Sequence, residues 1–214
     1  MLAELRRSVT DPVNAWTLLG AGASDFADES ARRSWRSAYL AGYVDRRVLA
    51  SEVGISAGAA KAMTFGEFDA YVEAIWSSIG RSEPILVSSI EDLPRRTVEK
   101  YFNDADAAAR WEYPGADRMG VPRTGKLAGT SGLVAFVDVR AAGLLPLVAA
   151  HEVAHLLADG FESTAGHSET WAGNYGGVQT RLFGEELAKL WAFEWSWYLQ
   201  KAVDYVAEDP GWLM

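Results

Sequence analysis

The sequence predicts an α+β fold that is mostly helical and contains a small sheet. Short apolar runs at residues 84–90 and 133–139 are typical of buried strands, whereas longer segments repeat apolar residues every three to four positions, as amphipathic helices do. With 214 residues, 49% hydrophobic and 23% charged, the chain can form one substantial globular domain and an appendage. We therefore expect a helical extension over residues 1–63 and a larger domain over residues 64–214.

Caps and breakers delimit the individual elements. Thr64 is a typical N-cap residue, and Gly80 ends the helix that follows it. A stretch rich in glycine and proline predicts turns, with room for a short strand, over residues 111–132. In the first part of the chain, the other predicted elements are helices at 11–20 and 30–50, a strand at 84–90 and a helix at 93–109. They are followed by a strand at 133–139 and a helix at 144–158. A further helix begins at residue 168 and is interrupted at Gly184, and the last helix spans 185–207.

Charge, cysteine content and hydropathy narrow the partners and the location. The net charge of -9 argues against a nucleic-acid partner for the protein as a whole. The absence of cysteine excludes disulfides and suits a reducing compartment. Residues 1–16 lack the pattern of a secretory signal, and no segment has the apolar length that spans a bilayer. We expect a cytoplasmic protein with no membrane partner, and its oligomeric state stays open.

One basic segment departs from this acidic background. Residues 49–61 resemble the core of a helix-turn-helix, in which Gly54 would open the turn and Ser56 would cap the second helix. Residues 30–62 carry six basic and two acidic side chains, a balance that DNA binding would need. The alternative is an ordinary helical hairpin with a solvated basic face. Glycine and alanine in the second helix leave few side chains to read base edges, which favours that alternative.

The predicted helix at 144–158 carries the most specific motif. Positions four apart share one face of a helix, so His151 and His155 can bind a metal ion together. Glu152 follows the first histidine and projects beside it, where it can take a proton from a metal-bound water. This spacing is the HExxH arrangement of zinc hydrolases.

A third histidine completes a ligand set. The chain has three histidines, all within residues 151–167, and no cysteine. Gly160 and Gly166 allow the chain to turn back after the helix, so that His167 can join the pair. A catalytic zinc takes three protein ligands and keeps one position open for water. The alternative is a polar stripe formed by chance, but the apolar neighbours indicate a buried helix, where unpartnered histidine and glutamate side chains are costly.

The C-terminal helices are rich in aromatic residues. Ser168 is predicted to cap a helix that contains Trp171 and Tyr175. The helix at 185–207 is aromatic nearly all round. Such a helix is either part of a core or a contact surface.

The order of strand, HExxH helix, glycine-bearing loop and third histidine resembles the zincin metallopeptidases. In the metzincins a glycine follows the second histidine by three residues and a histidine lies three beyond, whereas this chain has Ala158 and Phe161 there. That family is excluded. The gluzincins take a glutamate from a following helix, for which the candidates are Glu185, Glu186 and Glu194.

The SprT-like family takes its third histidine from a later segment, typically His-Gly-Pro-Glu followed by an aromatic residue. This chain reads His-Ser-Glu-Thr-Trp from His167 to Trp171, with the aromatic residue at the same spacing. The sequence of residues 132–137, followed by the HEVAH motif at residues 151–155, also resembles that of small actinobacterial and phage SprT-like metallohydrolases. Because Ser168 and Glu169 replace glycine and proline, either His167 or Glu169 could be the third ligand, and His167 is favoured.

The resemblance implies a zincin-like domain, with a small sheet packed on the HExxH helix, that hydrolyses peptide or protein substrates with zinc. His151, His155 and His167 would bind Zn²⁺, and Glu152 would act as the general base. Tyr175 is a candidate to stabilise the transition state, and simple helix packing is the alternative role for it.

Two other functions stay open at this point. In one, a regulatory protein binds DNA through residues 30–62 and uses its metal domain to cleave or sense a partner. In the other, the zinc is structural and the chain is a non-enzymatic interaction module whose surface is the aromatic C-terminal helix. A fourth protein ligand would favour a structural zinc, and an open coordination position would favour an enzyme.

Overall fold

The computed structural model describes residues 29–93, 95, 106–112, 134–158 and 167–208, and of residues 29–39 and 198–208 it describes the backbone alone. The described residues form two compact units. Those within Met1–Ala60 and Thr164–Met214 make up a helical unit, and those within Lys61–Ser163 make up a unit that contains the sheet. The predicted division at residue 63 stays a prediction, and the predicted helix at 11–20 lies outside the described residues.

The sheet has three strands in the order β1-β3-β2. The central strand, β3 (Val134–Val139), is buried along its whole length, as its run of apolar residues predicts. It pairs in parallel with β1 (Ile85–Ser89) and antiparallel with β2 (Ala107–Glu112). The chain is thus a mixed α+β protein, mostly helical with a small sheet, as predicted.

Two of the helices that the structure describes lie in the sheet unit. Helix α3 (Phe65–Ser78) contacts β1, and α4 (Pro146–Ala158) contacts α3, β2 and β3. The predicted cap of α3 is confirmed as a capping box, because the Thr64 hydroxyl accepts from the Glu67 backbone N–H while the Glu67 carboxylate accepts from the Thr64 N–H. These contacts place the helix that carries the histidine pair directly against the sheet.

The helical unit has four helices among its described residues: α1 (Glu29–Ala50), α2 (Glu52–Ser56), α5 (Glu169–Phe183) and α6 (Glu185–Glu208). Ser168 caps α5 as predicted, accepting from the Trp171 backbone N–H. Gly184, at a φ of 88°, separates α5 from α6, a backbone conformation that favours glycine. A bidentate ion pair, in which the Arg47 guanidinium donates to both carboxylate oxygens of Glu194, joins α1 to α6.

The predicted helix at 93–109 is wrong at its C-terminal end. Ala107–Glu112 form strand β2, whose residues pair with β3 in a continuous antiparallel register. Alanine-rich sequence favours a helix locally, but ladder hydrogen bonds and side-chain packing against a neighbouring strand override a weak local preference. Arg95 is helical, and residues 96–105 lie outside the described part of the chain.

The predicted second helix of the helix-turn-helix is also wrong. Residues 57–60 form a turn, Ser51 rather than Ser56 caps the short helix α2, and Gly54 lies within that helix instead of opening a turn. A Cβ atom at Gly54 would come within 2.1 Å of the Val48 carbonyl oxygen, so glycine is needed where α2 folds back on the end of α1. Residues 51–60, which suggested a DNA-binding helix, therefore form the short helix α2 and the turn that follows it.

The remaining predicted elements are confirmed where the structure describes them. The strands at 84–90 and 133–139, the helix at 144–158 and the C-terminal helix have their predicted types. Of the predicted turns over residues 111–132, the structure describes residues 111 and 112, which belong to β2. Within the described residues, no helix combines the length and apolar character that would cross a membrane.

Candidate metal centre

Helix α4 positions the first two histidines. Pro146 begins the helix, where its missing N–H costs no hydrogen bond. At the other end, the Trp111 indole N–H on β2 donates to the Leu156 carbonyl (3.2 Å), one of the terminal carbonyls that has no partner within a helix. The helix is therefore tied to the sheet one residue beyond His155.

The two imidazoles face each other. The Nε2 atoms of His151 and His155 lie 3.3 Å apart, and the ring centroids are 5.1 Å apart. Two imidazole nitrogens bound to one tetrahedral zinc, each at about 2.0–2.1 Å, are separated by about 3.3–3.4 Å. The pair thus has the spacing that two ligands of a single ion require.

His167 belongs to the same group of side chains that could hold a metal ion. One ring nitrogen from each of His151, His155 and His167 lies within 4.8 Å of the other two, and all three side chains are partly buried. Among the described residues, these three form the group of histidine and acidic side chains that could hold a metal ion. The predicted role of His167 as the third ligand stays a prediction.

The surroundings favour a neutral imidazole at His155. Burial, and to a smaller degree the proximity of His151, hold the pKa of His155 well below its ordinary value of 6.5. A lowered pKa means that the ring stays unprotonated at neutral pH. An unprotonated ring nitrogen is the form that coordinates a metal.

Glu152 lies next to the ligands within the same helix. It follows His151 by one position, about 100° further round the helix, and only 6% of its surface is exposed. A buried carboxylate is costly unless cations or hydrogen-bond donors compensate for it. Its predicted role as a base near a metal ion stays a prediction.

The sequence also offered acidic residues as alternatives to His167. Glu169, Glu185 and Glu186 are exposed, and Glu185 accepts a hydrogen bond from the Lys189 ammonium at 2.6 Å. Glu194 is held by Arg47. None of these carboxylates belongs to the group of described side chains that could hold a metal ion.

Tyr175 is fully buried in α5, and its hydroxyl donates to Asp45 Oδ1 at 3.0 Å. This contact gives the hydroxyl a structural role within the helical unit, as the packing alternative expects. Its predicted catalytic role stays a prediction.

Sequence reasoning missed Asp45, a carboxylate on the apolar face of α1 that is 8% exposed. The signal was available, because Ala41, Val48 and Leu49 occupy the positions three or four residues away on the same face, and all three are buried. A carboxylate on a buried apolar face of a helix needs hydrogen-bond donors inside the protein. Asp45 accepts from both Tyr175 and the Trp191 indole N–H.

The residues present fit a divalent metal. Imidazole ligands suit zinc, copper, iron and nickel, so the ligand set alone does not select one ion. Three neighbouring histidines, two of them at the spacing of shared ligands, could hold such an ion. No protein-family model, curated protein or solved structure matches this chain.

Proposed function

We propose that the chain is a zinc-dependent hydrolase that cleaves peptide bonds in peptide or protein substrates. The observation that carries the proposal is the 3.3 Å separation of the His151 and His155 Nε2 atoms, with a nitrogen of His167 within 4.8 Å of them. Glu152, the residue that follows the first histidine in the HExxH motif, is buried. Together these residues supply three ligands and a candidate base.

A count of three ligands supports a catalytic over a structural ion. Structural zinc sites are closed by four protein ligands, whereas catalytic sites use three and keep one position open. The group found among the described residues has three members. A zinc ion held by these histidines would lower the pKa of water and polarise a carbonyl group.

Glu152 would act as the general base. Its carboxylate accepts one proton from water as the water oxygen attacks the peptide carbonyl carbon. It then delivers that proton to the amine nitrogen as the C–N bond breaks. The two products are a carboxylic acid and an amine, and Glu152 returns to its starting state.

The arrangement of α4 supports a zincin-like domain of the SprT-like kind. Helix α4 packs on the sheet through β2 and β3, and β3 precedes it in the chain. The third histidine stands one residue before the cap of the following helix. We keep the cytoplasmic location as part of the proposal, on the absence of cysteine.

Metal content and hydrolysis together test the proposal. Purified wild type should hold about one zinc per chain, His167→Ala should lose it, and Glu152→Gln should keep it. With fluorescent casein and a mixed peptide library as probes, wild type should release new amino termini and Glu152→Gln should not. Failure of wild type to bind zinc after reconstitution would overturn the proposal, as would equal hydrolysis by Glu152→Gln.

A second candidate, an interaction module with a structural metal, is favoured by one observation. Phe193 and Trp197 on α6 are 66% and 43% exposed, which is high for large apolar side chains. If this is the function, Glu152→Gln and wild type behave alike, while Phe193→Ser weakens partner binding. A DNA partner for residues 30–62 receives less support, since residues 57–60 form a turn where the second helix was expected.

A further inference from the structure

His167 is held at the start of α5 by the first turn of that helix. The residue after it, Ser168, caps the helix by accepting from the Trp171 backbone N–H at 3.1 Å. The rings of His167 and Trp171 meet edge to face, with centroids 4.3 Å apart and planes at 87°. A contact between the residue before a cap and the first turn fixes the angle at which the chain enters a helix.

Trp171 is itself tightly held. It is fully buried, and its ring centroid lies 5.0 Å from that of Tyr175, 5.7 Å from that of Trp191 and 5.8 Å from that of Trp195. Trp191 and Trp195 stack with planes only 14° apart. An indole packed on several sides in this way has one available orientation.

Asp45 anchors this aromatic cluster, which consists of Trp171, Tyr175, Trp191 and Trp195. Its Oδ1 atom accepts from the Tyr175 hydroxyl at 3.0 Å and from the Trp191 indole N–H at 2.9 Å. Hydrogen bonds to an ionised acceptor are roughly twice as strong as neutral ones. One carboxylate therefore fixes two of the rings that pack against Trp171.

We propose that Trp171 is a positioning residue for the metal-binding imidazole of His167, with Asp45 holding the cluster behind it. This inference rests on the proposed metal function. The torsion that rotates an imidazole ring is broad, so a ligand ring needs a neighbour that limits its orientation before the ion arrives. Here the face-to-edge contact with a buried indole provides that limit for His167.

The test compares metal affinity in two substitutions of the full-length chain. Trp171→Phe keeps an aromatic ring near His167, and Trp171→Met keeps an apolar side chain of similar reach without a fixed ring plane. In competition titrations with Zn²⁺ and Co²⁺, Trp171→Met should bind about tenfold more weakly than wild type, and Trp171→Phe should lie close to wild type. Trp195→Met is the matched control, since it removes another buried tryptophan from the same cluster.

Histidine NMR gives a second reading that does not depend on activity. The chain has three histidines, and all belong to the proposed site, so every imidazole signal reports on it. In Trp171→Met one of the three signals should shift and broaden, and the other two should keep their positions. Should that variant not fold, Tyr175→Phe takes its place, because it keeps every ring and removes only the bond to Asp45. It should also broaden one histidine signal.

The outcomes separate this inference from the proposed function. Equal metal affinity in wild type and Trp171→Met, or an equal loss in Trp171→Met and Trp195→Met, would overturn a positioning role. For Tyr175→Phe, unchanged affinity and three sharp histidine signals would overturn it. If wild type binds no metal, or His167→Ala binds it as tightly, the proposed site and this inference both fall.

Discussion

Arg110 on β2 and Asp138 on β3 form an ion pair inside the sheet unit, with Arg110 Nε donating to Asp138 Oδ2 at 2.8 Å. The two side chains are 6% and 0% exposed, and the guanidinium also lies 4.3 Å from the centroid of the Phe136 ring. A charge this deep is tolerated because its partner is present. The pair therefore joins β2 to the central strand at the place where local sequence favours a helix.

Asp138→Ala should destabilise the protein by about 3–5 kcal/mol, because it leaves the Arg110 guanidinium buried without its carboxylate. Urea unfolding at neutral pH measures the change. Lys189→Ala is the control, since its pair with Glu185 is exposed to solvent and should contribute little. Equal stability of wild type and Asp138→Ala would contradict a buried pair.

Gly54→Ala should cost about 1–3 kcal/mol of stability, because the added methyl group would overlap the Val48 carbonyl and force the backbone to move. Gly66→Ala, in helix α3, is the matched substitution. A Cβ at Gly66 meets nothing within 4 Å, so alanine there should stabilise the helix by about 0.5–1 kcal/mol. Thermal unfolding of both variants measures whether Gly54→Ala lowers the stability of the protein and Gly66→Ala raises it.

Thr64→Ala should remove the N-cap of α3 and cost about 1 kcal/mol. Hydrogen bonds from the Thr64 backbone and hydroxyl lower the pKa of Glu67 from its ordinary value of 4.5. A carboxyl with a lowered folded-state pKa contributes stability above its unfolded pKa and loses that contribution as the pH falls through the folded pKa. The difference between wild type and Thr64→Ala should thus narrow below pH 4.5.

Glu67→Gln provides the control for that pH dependence, because glutamine can still accept from the Thr64 N–H but does not titrate. Urea unfolding from pH 7 to pH 3 compares the three proteins. A difference between wild type and Thr64→Ala that stays constant over this range would show that the hydrogen bond from the Thr64 hydroxyl to Glu67 adds no pH dependence.

Zinc should stabilise the folded protein. At a free zinc concentration one hundred times its Kd, the gain in unfolding free energy should be about 2.7 kcal/mol. Thermal scans with zinc and with a chelator measure it in wild type and in the doubly substituted His151→Ala, His155→Ala protein, which should show no gain. Stabilisation of the doubly substituted protein to the same extent would place the ion elsewhere.

Glu152→Gln should lower hydrolysis by about 10²–10⁴-fold while leaving zinc content and stability near those of wild type. The amide keeps the size of the carboxylate and removes its ability to accept the proton. Glu169→Gln, an exposed residue next to the cap of α5, serves as the control and should retain full activity. Loss of zinc in Glu152→Gln would instead make that residue a ligand.

Short sequence patterns correctly predicted the structural features that depend only on residues close in the sequence. The HExxH spacing determined the histidine pair, because any helix brings positions four apart to one face. Thr64, Ser168 and Gly184 marked helix ends correctly, since caps and positive φ depend on neighbouring residues. The mixed fold class followed from the same periodicities.

Only the tertiary structure decided which distant groups meet. Asp138 and Arg110 are 28 residues apart, and they pair where the alanine-rich segment forms strand β2 against β3. Asp45 and Trp191 are 146 residues apart, so no short sequence pattern predicts the hydrogen bond between this carboxylate and the aromatic cluster. The proximity of the two α4 histidines was determined by the sequence alone. The contacts that support β2 and His167 form only when remote segments pack and their burial offsets the entropy of closing the chain.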